Sequence, residues 1–366
     1  MQSFAIPQLY RIWREQLLQQ LPDRCETRLT NMLHLMMGIF QEKTVHLNLI
    51  ARKLPIRAQK LSIAKRLTRF LSNAAVDVRE WYHPTADWLL RSAGSGGQVH
   101  LLIDSTKVSG YYRKVMVSVA YQRRSLPIAW FWVAGSRGHC TTRAQIRLLE
   151  YVETLLPEGV NVSLAGDCEF GNPLLIEYLD RWGWDYALRQ AKDTLIMAKG
   201  SKQWQRLDSF PLEPGQTCWM GPVILTEASA YPSNVVLHWE KGEKEPWYLA
   251  TSQLSQRPAL RLYRRRMWVE EMYGDMKGHG FDLEISRLHH ADRLSRLTLA
   301  VCLLYVWLVA IGEYVLVNGY EDEVDRTERR DLSIFRLGWD FLERRLALFD
   351  PLPIVFCPNF CLVSGS

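Results

Sequence analysis

Residues 262–280 of this 366-residue chain read LYRRRMWVEEMYGDMKGHG. Four polar residues in the stretch follow one another at spacings of three, four and seven: Tyr263, Arg266, Glu270 and Lys277. On a helix that turns about 100° per residue, these spacings bring the four side chains within roughly 60° of one another. A second set, on a face roughly 140° away, is apolar and predicted to pack inward: Trp268, Val269, Met272 and Met276. The stretch therefore predicts a helix whose polar stripe surrounds one carboxylate with two cations and a phenol.

Two aspartates upstream lie where strands are predicted to end. Asp104 follows an apolar run at residues 99–103 in LLIDST, and Asp167 follows residues 161–165 in LAGDCEF. If the two strands are neighbours in a sheet, both carboxylates emerge at the same edge, and Glu270 reaches that edge from its helix. Crowded carboxylates repel one another unless a cation neutralises them, and Mg²⁺ or Mn²⁺ prefers such ligands. Two such ions about 4 Å apart can support displacement at a phosphodiester.

Each acid also has an ordinary structural interpretation. An aspartate after a strand often caps a helix or a turn, which applies to Asp104 and to Asp167. Glu270 could pair with Arg266 one helical turn away on the protein surface. Lys277 precedes Gly278 and could simply favour a helix C-terminus. The order of the elements and the three acids together favour the catalytic interpretation.

The order of predicted elements indicates the fold class. Strands are predicted at residues 99–103, 114–121, 126–133, 161–165 and 184–189, with helices at 142–156, 173–182 and near 258–277. This order resembles the ribonuclease-H-like fold, an α/β fold in which helices flank a mixed sheet. Residues from about 190 to 256 interrupt it and predict a β-rich insertion before the last catalytic helix, with strands near 218–226, 234–239 and 247–251.

The pattern Y-x2-R-x3-E-x6-K, together with Asp104 and Asp167, resembles the DDE transposases of insertion-sequence family four. The resemblance covers nearly the whole chain. It implies that Asp104, Asp167 and Glu270 bind two Mg²⁺ (or Mn²⁺) ions. It also implies that Tyr263, Arg266 and Lys277 hold phosphates at the transposon end, with Arg266 suited to bidentate contact.

Relatives in that family carry a tryptophan, within a W-x-L-x-T strand, that stacks on a base flipped out when a DNA hairpin forms. Trp247 in WYLATS matches this pattern. Because the chain holds fourteen tryptophans, a packing role for Trp247 remains an alternative, and Trp219 or Trp239 could stack instead. Arg189, at the end of a predicted strand, is a weaker candidate for phosphate contact.

The residues 43–76 hold eight lysines and arginines and no acid, which favours a surface that meets nucleic acid. A break near Pro55 between short helices resembles a helix-turn-helix motif. Its cationic residues would contact phosphates or base edges: Arg57, Lys60, Lys65, Arg66 and Arg69. A solvated basic helix face is the alternative.

Three regions follow from these patterns. Residues 1–95 are predicted as an all-helical DNA-binding domain, 96–290 as the ribonuclease-H-like catalytic domain and 291–366 as a C-terminal helical region. The SAGSGG run at 92–97 is predicted as a flexible joint. The apolar run at 297–312 is shorter than the roughly twenty residues that cross a bilayer, which favours a core helix over a membrane span.

Composition adds the expected setting. The formal net charge of +6 is mildly basic, and the seven scattered cysteines show no zinc-site spacing, as expected of reduced thiols in a cytosolic protein. No export signal is evident, and no phosphate-binding or dinucleotide-binding glycine motif competes with the acids.

The resemblance, together with these patterns, implies a bacterial cytoplasmic, nucleoid-associated transposase. It would bind terminal inverted repeats and target DNA as a homodimer, without membrane association. The rivals are a nuclease that cuts without joining and a catalytically silent DNA-binding descendant.

Overall fold

The chain divides into two compact units. The computed structural model describes residues 5–21, 25–108, 111–135 and 140–363. The helical unit combines residues 1–93, 107–113 and 273–366, and the sheet unit combines residues 94–106 and 114–272. The first boundary falls inside the SAGSGG run, although its first three residues complete a helix rather than forming a joint. Where the prediction separates the N- and C-terminal helical regions, the structure groups them in one unit.

The N-terminal helices of the helical unit carry the basic stretch. They are α1 (Ala5–Gln20), α2 (Glu26–Glu42), α3 (Leu47–Lys53), α4 (Lys60–Leu71) and α5 (Val78–Gly94). The predicted break near Pro55 is confirmed, since α3 ends before it and Leu54 has extended backbone angles. A proline disfavours helical angles in the residue before it, which explains where α3 stops.

The described part of the sheet unit contains ten strands in one mixed sheet. They are β1 (Gln98–Lys107), β2 (Tyr112–Tyr121), β3 (Arg124–Ala134), β4 (Asn161–Gly166), β5 (Asp185–Arg189), β6 (Leu195–Ala198), β7 (Gln205–Arg206), β8 (Thr217–Leu225), β9 (Tyr231–His238) and β10 (Trp247–Thr251). Their order across the sheet is β3-β2-β1-β4-β5-β10-β9-β8-β6-β7. Strand β4 pairs in parallel with both β1 and β5, and β10 runs antiparallel to β5. The predicted α/β class with a mixed sheet is confirmed.

The segment predicted as an insertion extends this same sheet. Strands β8, β9 and β10 confirm the predicted strands near residues 218–226, 234–239 and 247–251, whereas β6 and β7 were not predicted. Because β10 pairs with β5, the segment continues the central sheet instead of standing apart from it. This pairing also returns the chain to the edge at which β5 ends.

Four helices accompany the strands. Helix α6 (Thr142–Glu153) lies between β3 and β4 in the chain, and α7 (Pro173–Trp182) lies between β4 and β5. Helices α8 (Gln256–Arg264) and α9 (Met267–Met276) come after β10. Helix α8 packs on β4 and β5. The prediction of one continuous helix near residues 258–277 is wrong, because Arg265 and Arg266 form a turn between α8 and α9. From residue 273 onward, α9 is grouped with the helical unit.

The last helices are α10 (Ala291–Asn318) and α11 (Ile334–Leu348), and both belong to the helical unit. Within the described residues, α10 is the one helix long and apolar enough to cross a membrane, with a mean hydropathy of 2.2. In its most apolar window 83% of the residues are buried by the rest of the protein, which favours the predicted role as a core helix. All seven cysteines lie within the described residues, and none of them forms a disulfide there.

Candidate active site

The parallel pairing of β1 and β4 places two aspartates side by side. In the register of these strands, Leu102 lies opposite Ala165 and Ile103 opposite Gly166. Asp104 and Asp167 are the next residues along the two chains. Because side chains alternate between the faces of a sheet, both carboxylates point to the face that α8 covers, at the carboxyl ends of the parallel strands.

The local backbone around Asp167 requires a close approach. A side chain at Gly166 would bring its Cβ to 2.9 Å from a methyl carbon of Ile103, so the glycine lets the strands pack tightly just before the aspartate. Asp167 then caps a short 3₁₀ turn, because its Oδ1 accepts the backbone N–H of Glu169 at 2.9 Å. The capping interpretation of this residue therefore holds alongside any catalytic one.

Asp104 is a buried acid among charged neighbours. The residue is 5% exposed, and burial raises the pKa of its carboxyl to about 7. Arg266 opposes this shift, whereas the nearby charges of Asp167 and Glu270 add to it. A carboxylate that resists ionisation by itself is one that gains from an added cation.

Arg266 bridges two of the acids from the turn between α8 and α9. Its Nη1 lies 3.9 Å from Oδ2 of Asp104 and 3.3 Å from Oε1 of Glu270. The side chain is only 12% exposed, and burial would lower the pKa of the guanidinium. The surrounding anionic groups outweigh that effect and raise this pKa above its usual value.

Glu270 occupies the first turn of α9, where a carboxylate is stabilised by the helix dipole. Its side chain is 53% exposed, in contrast to that of Asp104. The carboxylates near the Arg266 guanidinium therefore differ in exposure: Asp104 is buried, Asp167 is half-buried and Glu270 is exposed. The opening at Glu270 is the side from which a solvated ligand could approach.

Tyr263 and Trp247 pack beneath this cluster. Tyr263 is 1% exposed, and its ring meets the indole of Trp247 at 5.1 Å between ring centres, close to edge-on. Trp247 is 8% exposed and also contacts the ring of His238 at 5.5 Å. The packing role is thus the one seen for Trp247, and a base could reach its face only if these rings moved apart.

Arg189 joins the same group from the end of β5. Burial raises the pKa of the Tyr263 hydroxyl, while the charge of Arg266 and a hydrogen bond with Arg189 act in the opposite direction. The Arg189 side chain also donates from Nη2 to the carbonyl of Pro246 at 3.3 Å. Sheet register explains its position, since Ala187 lies opposite Ala165 and Arg189 is two residues further along.

Other predicted contact residues lie in the helical unit. Lys277 follows the end of α9 and pairs with Glu284 at 3.0 Å. Three basic residues around the start of α4 are exposed: Arg57, Lys60 and Lys65. Arg66 differs from them, because its guanidinium donates to Asn31 at 2.6 Å and lies 3.0 Å from Nδ1 of His34. It therefore links α4 to α2, and its predicted DNA contact would compete with that link.

A residue that the sequence argument missed is Glu169. Ser105 donates its hydroxyl hydrogen to Oε2 of Glu169 at 2.5 Å, which connects the residue after Asp104 to the loop after Asp167. Gln145 on α6 reaches the same loop by donating to the carbonyl of Glu169 at 3.2 Å. The sequence feature that could have identified Glu169 is its position as the second acid in GDCEF, two residues beyond Asp167.

The donor set suits a hard divalent cation, although the side chains do not converge on one point. Among the residues that the structure describes, no three His, Cys, Asp or Glu side chains form a ready-made metal cluster. Arg266 instead lies between Asp104 and Glu270 and supplies part of the positive charge. Its Nε is buried without a hydrogen-bond partner in the described structure, so this position of the guanidinium is incompletely satisfied. The carboxylates of Asp104 and Asp167, at the ends of the paired strands β1 and β4, are the kind of oxygen ligand that Mg²⁺ or Mn²⁺ prefers.

Carboxylates can hold the metal ions of phosphodiester chemistry, and an arginine beside them suits a phosphate group. A model of the transposase DDE domain matches residues 95–307, more than half of the chain. The chain belongs to this transposase DDE domain family. It is also similar to a cryo-EM structure of the piggyBac transposase synaptic complex with hairpin DNA, at a TM-score of 0.44 and 9% identity over 95% of this chain and 83% of that one. A search of curated proteins finds no match.

Proposed function

We propose that this transposase belongs to insertion-sequence family four, binds the terminal inverted repeats of its element and moves the DNA by cut and paste. The sheet order β3-β2-β1-β4-β5, with β4 parallel to both neighbours, supports a ribonuclease-H-like core. The complete spacing of Tyr263, Arg266, Glu270 and Lys277 supports the family. In this proposal one site performs strand cleavage, hairpin formation and strand transfer.

A single observation carries the proposal: β1 and β4 bring Asp104 and Asp167 together, with Arg266 and Glu270 over them. Burial raises the pKa of the Asp104 carboxyl to about 7, and a fold that disfavours the charged form of this group gains little from it as a purely structural residue. A binding site can retain such an unfavourable carboxyl, because a bound cation stabilises its charged form. The arrangement supports chemistry at a phosphodiester more directly than any ordinary packing role.

Asp104, Asp167 and Glu270 would hold the divalent ions, proposed as two Mg²⁺ or Mn²⁺. Bound there, the ions would supply an activated attacking oxygen and charge stabilisation for the leaving one. The residues of the chain itself have separate tasks. Arg266 would move from the carboxylates to a phosphate, and Glu270, as the open acid, would change position most on loading. Asp104 would be fixed by β1 and excluded from bulk water.

The surrounding cations would position DNA. Arg189 and Arg266 lie at the candidate site and suit phosphate oxygens, while the buried Tyr263 would orient both guanidiniums rather than bind DNA directly. Lys277 remains a proposed phosphate contact of the helical unit. The exposed Arg57, Lys60 and Lys65 would bind the inverted repeat, with Arg69 on the same helix.

The partners and the setting follow from the reaction. Two element ends must be held together, so a homodimer is the proposed active form, with double-stranded DNA from the repeats and the target as its substrates. The proposed location is the bacterial cytoplasm, at the nucleoid.

The test uses a labelled inverted-repeat end, taken from the DNA that flanks the gene, with Mg²⁺ or Mn²⁺. Wild type is expected to give nicks, hairpins and joined products, and Asp104→Ala and Glu270→Ala none of them. Glu271→Ala is the matched control, because Glu271 is the next acid on α9 but pairs with Arg124 at 3.1 Å. It is expected to keep at least half of the wild-type rate.

Other outcomes separate the rivals. Nicks without joined products would favour a nuclease, and repeat binding without cleavage in either metal would favour a silent DNA-binding descendant. Cleavage that survives both substitutions would place the active site elsewhere.

A further inference from the structure

A second positively charged feature lies on α8 and the turn that follows it. Six residues line a cleft of about 490 Å³: Arg257, Leu260, Arg261, Arg264, Arg265 and Trp268. We call this feature the arginine cleft. None of its arginines was singled out by the polar stripe that led to the active site, because they occupy a different side of the helix.

The arginines form a row rather than a compact nest. Their positions, at spacings of four, three and one, recur on one side of a helix. From Arg257 to Arg265 the row extends over eight residues, about 12 Å along a helix axis. One strand of DNA carries a charge about every 3.4 Å along the duplex, so the row matches roughly three or four consecutive phosphates. A single small anion would leave most of the row unoccupied.

The positive charge of the row is poorly compensated. Arg264 pairs with Glu240 at 2.8 Å, whereas within the described structure no carboxylate forms an ion pair with Arg257, Arg261 or Arg265. Burial and the neighbouring charge of Arg261 both lower the pKa of the Arg265 guanidinium. Arginines that repel one another across an open cleft are stabilised by an added polyanion.

The cleft extends away from the carboxylates, although Arg265 at one end of it directly precedes Arg266 of the candidate active site. Arg261 and Arg265 also line an adjoining groove with Gln98 and His100 of β1, and Asp185 is the acidic residue of that groove. Asp104 lies six residues beyond Gln98 and four beyond His100 on β1, which corresponds to roughly 20 Å and 13 Å along a strand. The groove therefore opens near the end of the parallel strands opposite to the acids. One DNA strand cannot lie along this row and have the same phosphates at Asp104.

We propose that the arginine cleft binds the phosphate backbone of double-stranded DNA along one strand, as a second contact outside the candidate active site. The row length and the uncompensated charge define the ligand as an extended polyanion, and the family to which the chain belongs makes duplex DNA the one to test. The contact carries no base-edge readout, so it binds DNA of any sequence. It would hold DNA that flanks the reacting end or the target duplex.

The experiment measures binding without cleavage. Full-length protein is titrated onto a fluorescent 30-base-pair duplex of arbitrary sequence, in EDTA, at several salt concentrations, with anisotropy as the readout. The variant Arg257→Gln/Arg261→Gln is compared with Arg143→Gln/Arg147→Gln on α6. Both pairs are exposed, four residues apart and in the sheet unit, and both changes remove two charges.

The cleft variant is expected to bind about tenfold more weakly at low salt. Its plot of log affinity against log salt should be shallower by about two, since each lost phosphate contact removes roughly 0.9 from the slope. The α6 variant should match wild type in slope. Equal losses in the two variants, an unchanged cleft variant, or no duplex binding by wild type would each overturn the proposal.

A parallel cleavage assay keeps the two proposals apart. If the cleft variant binds weakly but still cleaves at saturating DNA, the cleft is a binding surface outside the chemistry, as proposed. If wild type binds through the cleft but no variant or wild type cleaves in Mg²⁺ or Mn²⁺, the proposed function fails while the cleft proposal stands.

Discussion

Arg266 shows at the scale of one residue how the site balances its charges. Its guanidinium lies 3.9 Å from Asp104 and 3.3 Å from Glu270, yet the pKa of Asp104 is still raised to about 7. One monovalent cation therefore does not offset the burial of Asp104 together with the charges of Asp167 and Glu270. A divalent ion would supply the missing charge, and it would release Arg266 toward a phosphate.

Trp247 gives the residue-scale prediction, because packing and base stacking make different demands. Trp247→Ala is expected to lower the free energy of unfolding by about 3 kcal/mol, since it empties a buried ring site between Tyr263 and His238. The change is measured by urea unfolding followed by tryptophan fluorescence and circular dichroism. Trp247→Phe should lose about 1 kcal/mol, because a smaller ring still fills part of the space.

The half-exposed Trp219 supplies the control, and Trp219→Ala should lose less than 1 kcal/mol. If Trp247→Ala were as stable as wild type but failed to form DNA hairpins, the ring would serve stacking and not packing.

At the scale of elements, the strands could be predicted and the helix break could not. The β-rich runs bounded by turns located β1 to β5 and β8 to β10 within a few residues. Nothing in residues 262–277 marks a break, because no proline is present and the helical periodicity continues through it. The turn at Arg265 and Arg266 is accompanied by a tertiary interaction, the approach of Arg266 to the buried Asp104. Tertiary contacts of this kind override helix propensity.

The break changes what the polar stripe means. Tyr263 ends up buried against Trp247 while Glu270 stays open, so the four stripe residues do not share one helical face. The pairing of strands across the sheet also could not be predicted from local sequence patterns. The return of β10 to β5, which positions Trp247 near Arg189, depends on residues about sixty positions apart. Spacing could therefore suggest candidate site residues, but it could not predict their exposure or their partners.

The packing of α10 against α11 gives the element-scale prediction. A Cβ at Gly338 would overlap the carbonyl oxygen of Leu308 and lie 2.7 Å from the amide nitrogen of Gly312. Gly338→Ala must therefore push the two helix backbones apart, and we expect it to lower the free energy of unfolding by about 3 kcal/mol. Thermal and urea unfolding of the full chain measure the change.

Gly278→Ala is the matched control, since a Cβ at this exposed glycine would meet no atom within 4 Å. It should change the free energy of unfolding by less than about 0.5 kcal/mol. Equal stability of the Gly338 and Gly278 variants would mean that the helices are not in backbone contact.

At the scale of the whole molecule, the proposed metal site links function to stability. Neighbouring carboxylates stay protonated or repel one another in the absence of a cation. This electrostatic cost lowers the free energy of unfolding, because the unfolded chain does not hold the carboxylates together. A chain with a net charge of +6 does not require local acids for solubility, which makes the cluster still harder to attribute to surface chemistry. Ligands that bind only the folded state recover this free energy.

We therefore expect Mg²⁺ to stabilise the wild type, by about 2.7 kcal/mol for one ion at a hundred times its dissociation constant. Asp104→Asn/Asp167→Asn should lose this gain, because neutral amides bind Mg²⁺ poorly. Without metal the double variant should be no less stable than wild type, since it removes the repulsion around Asp104. Melting temperatures across a Mg²⁺ titration, with K⁺ at equal ionic strength as the reference, measure both effects.

Glu271→Gln separates specific binding from general screening of negative charge. Its carboxylate lies one residue from Glu270 but pairs with Arg124, so its Mg²⁺ response should equal that of wild type. If the double variant also gained the full 2.7 kcal/mol or so, the ions would bind elsewhere, whatever the cleavage assay showed. If wild type gained nothing up to saturating metal, Arg266 would already satisfy the acids. Folding and loading of the site would then be uncoupled, and the acids would require DNA before they could bind a metal.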